Sequence, residues 1–400
     1  MYLLGLCNTN VTKAILKIIA PTINYQCGDI AKIPVLVDDN QKDKVISFVN
    51  KNINISREDW DSFETSWDFQ LHPLLAMARH SQDWCCSTEL VSLEECYRHV
   101  KDQVNGRFDD LKKNEEELNR IFIDIYGLQK ELTPEEEDRD VTVARIYDTK
   151  EEIPEPMKGS RYALTKEDVV KSLISYGVGC LFGRYSLATP GLAYAGGPWD
   201  SSKYAGLLPD EDNIIPICDD EYFSDDMVGL FVQFMEAAFG KRHLEENLQF
   251  LAQALGGKGT SREVLRHYFL SDFYKDHVKT YQKRPIYWLF DSGKKNGFKC
   301  LIYMHRYQPD TLAKIRTDYI HEQQSRYRTA IDNIDHEMND LTGANRVKLE
   351  KKLQKLKAQE AETEKYEEKV HHLADRMISI DLDDGVKHNY AIFQDVLAKI

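Results

Sequence analysis

Several things are scarce in this sequence, and each shortage removes a class of protein. No apolar run is long enough to cross a bilayer, and Lys13 and Lys17 interrupt the most apolar stretch near the start. The opening MYLLGLCNTN has no basic entry and too short an apolar run, so no secretion signal is expected. The eight cysteines (Cys7, Cys27, Cys85, Cys86, Cys96, Cys180, Cys218, Cys300) form no CxxC pair, and Cys85-Cys86 is merely vicinal. A reducing cytoplasm is the expected location. Positive charge is also in deficit. A formal net charge of -14 argues against a protein that coats nucleic acid by bulk charge.

Signature motifs are missing too. GGKGTS at 256–261 has neither the spacing of a phosphate loop nor a strand before it, and reads as a loop capping a helix. The glycines of 191–197 lack G-x-G-x-x-G, and no G-x-S-x-G elbow is present. None of the twelve histidines pairs with Cys or Glu at metal spacing. The segment 210–226 carries eight acids and no base, but fits no calcium loop. It reads as a solvated acidic loop.

What is present builds real cores. Hydrophobic residues make up 42% of 400 positions, enough for two or three domains. Residues 1–36 are apolar from the outset and read as a short helix, a turn at Pro21, then two extended runs around Gly28-Asp29. Exposed apolar termini suggest packing partners elsewhere. A short amphipathic helix is expected through Val45, Ile46 and Val49. Trp60 and Trp67, among acids, are expected to clip a loop onto a core. Apolar spacings of three and four from Leu93 to Leu132 predict a long amphipathic helix, ended by LTPEEEDRD. Thr165 with Asp168 caps the next helix, Ser224 another, and Thr260 with Glu263 forms a capping box for a third. Alternating residues at 286–290 and 298–304 predict two strands about a 292–297 loop. From Pro309 onward, apolar positions at helical spacing predict two long helices joined near 341–345, packed as an antiparallel coiled coil. The tail regains mixed composition and is expected to dock on a globular part. The expected fold class is α+β, predominantly helical, with a β-hairpin and a long antiparallel coiled-coil pair.

One segment opposes the overall charge. From Ser261 to Ala330, fourteen Lys and Arg stand against seven Asp and Glu. That surplus of seven leaves -21 on the other 330 residues. Lys294 and Lys295 fall at the expected hairpin tip, with Lys283, Arg284 and Arg306 near the strand ends and Lys299 and Arg316 in support. Arginine can grip phosphate or a guanine edge. Ordinary edge charges explain tip lysines equally well, and Tyr287, Trp288 and Tyr303 read first as sheet core.

The run RPIYWLFDSGKKNGFKCLIYMHRYQPDTL closely resembles the C-terminal part of the adenine-specific DNA methyltransferases of BREX phage-defence systems, the PglX family. ILKIIAPTINYQCGDIAKIPV, SWDFQLHPLL, LKKNEEELNRIFIDIYGL, ISYGVGCLFGRYSLATPGLAYAGG and IDLDDGVKHNYAIFQ agree in order, so the resemblance covers nearly the whole chain. It implies an enzyme that binds S-adenosylmethionine through a glycine-rich strand-turn and holds a flipped adenine with an Asn/Asp-Pro-Pro-aromatic motif. This sequence has no Pro-Pro, and Pro285-Ile286-Tyr287-Trp288 is a superficial echo, with Arg284 where the acid or amide would stand. No catalytic, cofactor or metal residue is carried over, and the chain alone is expected to be inactive.

The resemblance implies a division into 1–36, the end of an upstream catalytic or hinge domain; 37–135, a helical spacer; 136–309, a target-recognition region; 310–378, the coiled coil; and 379–400, a docking tail. The implied role is the DNA-binding, target-recognition portion of the methyltransferase. Expected partners are double-stranded DNA, the missing catalytic half and other BREX proteins, with no membrane. A protein-interaction scaffold, with DNA read elsewhere, is the alternative.

Overall fold

A computed structural model describes residues 1–20, 24–84, 92–338 and 343–400. The fold is predominantly helical α+β with small sheets. The chain divides into two compact units, residues 1–77 with 95–169, and residues 78–94 with 170–400. Cys85-Cys86, Pro21 and residues 341–342 of the expected helix junction near 341–345 lie outside the described residues. Among the described residues six cysteines are free.

In the first unit, the helix Tyr2–Cys7 lies against Asp39–Trp60, with Val45 and Val49 buried. Gly5 permits this approach, because a Cβ there would stand 2.9 Å from the Val49 side chain. The Asp39–Trp60 helix is longer than its apolar spacing alone implies; Asp38 caps it by accepting from the Asn40 amide. Cys27–Ile30 is a single helical turn, where extended chain was expected. Expected packing also fails at the tryptophans. Trp60 and Trp67 are 59% and 100% exposed, because Ser66 and Asp61 bond to each other and order the turn without them. The helix Leu93–Tyr126 buries Val100, Val104, Phe108, Leu111, Leu118 and Phe122 along its apolar stripe. Asn119 on this helix accepts from the Asn10 amide and donates to Glu136, tying three segments. Strands β1 (Arg145–Tyr147) and β2 (Ala163–Thr165) pair in parallel. Thr165 and Asp168 exchange bonds at the next helix start, Lys166–Leu181, as their spacing predicts.

The second unit is organised by a small antiparallel sheet. Its strands are β3 (Ile215–Pro216), β4 (Tyr287–Asp291) and β5 (Lys299–Tyr303), in the order β3-β5-β4. Asn213 extends the β3 side by bonding both the N–H and C=O of Tyr303 at 3.1 Å, as a paired strand residue would. The other edge, along β4, is covered by the tail: the Asp291 amide donates to Val396 O and the Ala398 amide to Leu289 O. An open strand edge is thereby closed. Trp288, Phe290, Cys300 and Ile302 join Phe393, Val396, Tyr366 and Val370 in one core. Both faces of β4 are buried, so its alternation marks no solvent side.

Helices surround this sheet. Met227–Phe239 is capped by Asp226, whose carboxylate accepts from the Val228 and Gly229 amides; Ser224 is not the cap. Ser261–Ser271 opens on the expected Thr260–Glu263 box. Thr311–Lys314 runs through a π-helical stretch, Ile315–Ile320, into His321–Glu337. That last helix packs on Ala344–Ala374 through Tyr327, Ile331, Ile334, Leu353 and Leu356. The ion pairs Arg316–Glu367, Arg328–Glu360 and Asp335–Lys357 run in opposite senses along the two helices.

Candidate nucleic-acid interface

The loop 292–297 joins β4 to β5 and carries Lys294 and Lys295, both exposed. No ion pair involves either among the described residues. The loop itself is tightly held. Gly293 and Asn296 take positive φ values of 137° and 55°, which turns successive amides inward, as in an anion-holding nest. The anion is the chain's own. Glu362, on the helix Ala344–Ala374, accepts from Ser292 Oγ at 2.9 Å, the Lys295 amide at 2.9 Å and the Gly297 amide at 3.1 Å. Gln359 Nε2 donates to Asn296 O at 3.2 Å, and Tyr327 OH donates to Gly297 O at 2.8 Å. Gly297 is needed for this contact. A Cβ there would stand 2.6 Å from both Gln359 O and Thr363 Oγ1. Two helices therefore grip the tip while its two lysines face solvent.

The other five expected cations are placed differently. Lys283 and Arg284 are exposed at the far end of β4, in a turn where Gln282 and Lys283 have φ of 50° and 60°. At about 3.4 Å per residue, β4 and its flanks separate them from the tip by roughly 20–25 Å. Lys299 is buried, bonded to Leu270 O and 3.7 Å from Asp291. Arg306 is half-buried, donating to Phe182 O and Glu211 O with its guanidinium over the Trp199 ring; burial lowers its pKa. Arg316 pairs with Glu367, whose pKa is lowered by bonds from Arg316 and His321 in spite of partial burial. The structure thus brings Lys294 and Lys295 together, sets Lys283 and Arg284 apart, and gives the remaining three internal partners. Tyr287, Trp288 and Tyr303 are sheet core.

The acidic segment is more built than solvated. Asp226 holds Arg266 through two bonds of 2.8 and 2.9 Å. Asp212 and Asp225 both lie within hydrogen-bond distance of Tyr319 OH, at 2.8 and 2.7 Å. Burial, with Asp212 close by, pushes the Asp210 carboxyl up to about 7, and burial raises Asp225 as well. Asp219 accepts from Lys355 and Gln359, so this segment also braces the helix that holds the tip. Among the described residues no group of three or more His, Cys, Asp or Glu is arranged to hold a metal ion. Among them, too, no helix is long and apolar enough to cross a membrane.

Sequence reasoning missed Glu362. It lies 67 residues beyond Lys295, inside the run AQEAETEKYEEKV, where one glutamate looks like its neighbours. The available signal was the glycine pair around Lys294-Lys295. A glycine-bounded loop with inward amides needs an acceptor.

No family model matches the sequence. Over 397 residues, 98% of the chain, it is 42% identical to the adenine-specific methyltransferase PglX of Lacticaseibacillus casei (strain Zhang). Over 401 residues, 96% of the chain, it is 35% identical to the adenine-specific methyltransferase BrxX of Escherichia coli O9:H4 (strain HS). The chain is a partial homologue of adenine-specific methyltransferases. It spans 31% and 32% of the lengths of these PglX and BrxX proteins. The residues described here do not fit S-adenosylmethionine. Among them β4 alone is followed directly by a glycine-bearing turn, and two of that turn's amides, those of Lys295 and Gly297, are bonded to Glu362.

Proposed function

We propose that this chain supplies duplex grip and target choice to an adenine-specific DNA methyltransferase of a BREX-type defence system. The flipping of an adenine and transfer of a methyl group to its exocyclic amine would belong to the remainder of the enzyme. S-adenosylmethionine would bind there, and this chain alone would be inactive. The carrying observation is the clamped tip, which presents two exposed lysines, without an ion pair among the described residues, beside a homologous relationship to methyltransferases. Lys283 and Arg284 add a second phosphate contact, while Lys299, Arg306 and Arg316 shape the scaffold beneath. Residues 136–309 form the target-recognition region. The helix pair within 310–378 serves as an antiparallel coiled coil that carries the tip.

The first 37 residues support the missing-partner part of this reading. Met1, Leu3, Leu4, Ile18, Tyr25, Ile30, Val35, Leu36 and Val37 are all exposed. Apolar groups at that density mark an interaction surface, and the catalytic portion is its proposed occupant.

The test is duplex binding as a function of salt. Each lost phosphate contact lowers the slope of log affinity against log salt by roughly 0.9. Lys294→Ala with Lys295→Ala is expected to lower that slope by about 1.8 and to weaken binding about tenfold at low salt. Unchanged affinity and slope would remove the tip from the interface. The exposed Trp60 and Trp67 favour a second reading, a scaffold that docks other defence proteins. Duplex binding that is absent, with BREX partner proteins bound through these tryptophans, would favour it.

A further inference from the structure

We propose that Glu362 is the positioning residue of the Lys294–Lys295 tip, fixing the loop backbone from which both lysines project toward phosphate. The inference rests on the DNA-contact reading above and adds a residue that itself touches no DNA. Its basis is geometric. Three donors from one short loop converge on a single carboxylate, at 2.9, 2.9 and 3.1 Å, and that carboxylate comes from a different element. Two of the donors are the backbone amides of Lys295 and Gly297, so the bonds fix the peptide planes from which the lysines project. Gly293 brings its own backbone close to the same group: a Cβ there would lie 2.9 Å from Glu362 Oε2. A carboxylate accepts from several donors at once, whereas a carboxamide offers one oxygen and sets an N–H against the others. Glu362→Gln therefore keeps size and shape while unlocking the loop. The fixed tip lowers the ordering cost of binding, since a long lysine on a mobile loop loses freedom at both levels.

The sign of the effect separates positioning from charge. Removing a negative group beside two lysines should, by electrostatics alone, tighten DNA binding and steepen its salt dependence. Positioning demands the reverse. We expect Glu362→Gln to bind a mixed-sequence DNA duplex about fivefold more weakly, with a slope lower by about one. Glu362→Asp should recover part of the loss, because it restores the carboxylate with a shorter reach. In a Lys294→Ala/Lys295→Ala background, Glu362→Gln should change nothing further. Amide hydrogen exchange at Lys295 and Gly297 should accelerate in Glu362→Gln without DNA present.

Equal or tighter binding by Glu362→Gln would overturn the proposal, and so would an equal loss in the lysine-free background. Unchanged exchange at the two amides would overturn it at its root. Ser292→Ala removes one donor to Glu362 together with the acceptor of the Phe298 amide, and provides a second variant should Glu362→Gln fold poorly; exchange at the Lys295 and Gly297 amides should accelerate in it too, and its indifference would count against the clamp. Wild-type binding that ignores the lysine substitutions would instead remove the DNA-contact reading, with the exchange rates still reporting whether Glu362 holds the loop.

Discussion

The two ends of this chain are both apolar, yet they meet opposite fates. Residues near 390–397 place Tyr390, Phe393, Val396 and Leu397 inside the core of the sheet. Residues 1–37 bury Tyr2, Leu6, Val11 and Leu16, but display nine other large apolar side chains. Seventeen such side chains are exposed among the described residues, so over half occur in this short stretch. The difference lies in pairing. The later segment finds an open β4 edge and satisfies backbone and side chain together. The first folds into short helices and a non-helical stretch through Val35, Leu36 and Val37, and leaves these and other apolar side chains exposed. Hydrophobic content by itself thus does not tell a core from a contact surface; the available hydrogen-bond partner does.

That contrast can be broken most sharply at Phe393. It is fully buried between Trp288 and Tyr307, with ring centroids 5.7 and 5.4 Å away. Phe393→Ala should cost about 3–5 kcal/mol, the range for a large core truncation, read by denaturant unfolding. A loss near zero would mean that the tail rests on the sheet without completing it.

A smaller effect is expected at His277. Its Nε2 accepts from the Ile286 and Tyr287 amides, both at 3.1 Å, and so fixes the start of β4. Burial, with Arg184 nearby, pushes its pKa down from 6.5 to about 3. A depressed imidazole stabilises the fold fully above about 6.5, and that contribution drains as pH falls toward 3. Between pH 7 and pH 5 the wild type should lose about 2 kcal/mol from this group. His277→Gln keeps an acceptor and cannot titrate, so its stability should fall less over the same interval. Parallel pH profiles for the two proteins would exclude this role.

The smallest effect on the fold belongs to the first segment. Leu3→Ser with Ile18→Ser should alter stability by no more than about 0.5 kcal/mol per site, since both are exposed. The same pair should weaken association with a separately produced catalytic portion. Strong destabilisation would show that these side chains already have partners, and the contrast between the ends would disappear.

Much of the helical frame was legible because it depends on local chemistry. The Thr260–Glu263 box and the Thr165–Asp168 cap are contacts between residues three apart, and sequence spacing states them directly. The long stripe of Leu93–Tyr126 was legible for the same reason. Alternation located β4 and β5, but not their two-sided burial, which depends on helices and a tail far along the chain. Charge count found the basic segment but could not sort its members. Lys299 and Lys294 look alike in sequence; one is buried and reaches Leu270 O and Asp291, the other is exposed. The exposed Trp60 and Trp67 were misjudged because a tryptophan's size favours burial only where a cavity awaits it, and the turn is satisfied by Ser66 and Asp61.

The covered β4 edge sets an order of events during synthesis. Val396 emerges about a hundred residues after Asp291, which it pairs. At ordinary elongation rates that is a delay of roughly 5–20 seconds. Until then β4 offers bare backbone and the Trp288 face to any passing strand, so a nascent chain of this kind has reason to need a chaperone's shelter until Val396 and Ala398 arrive.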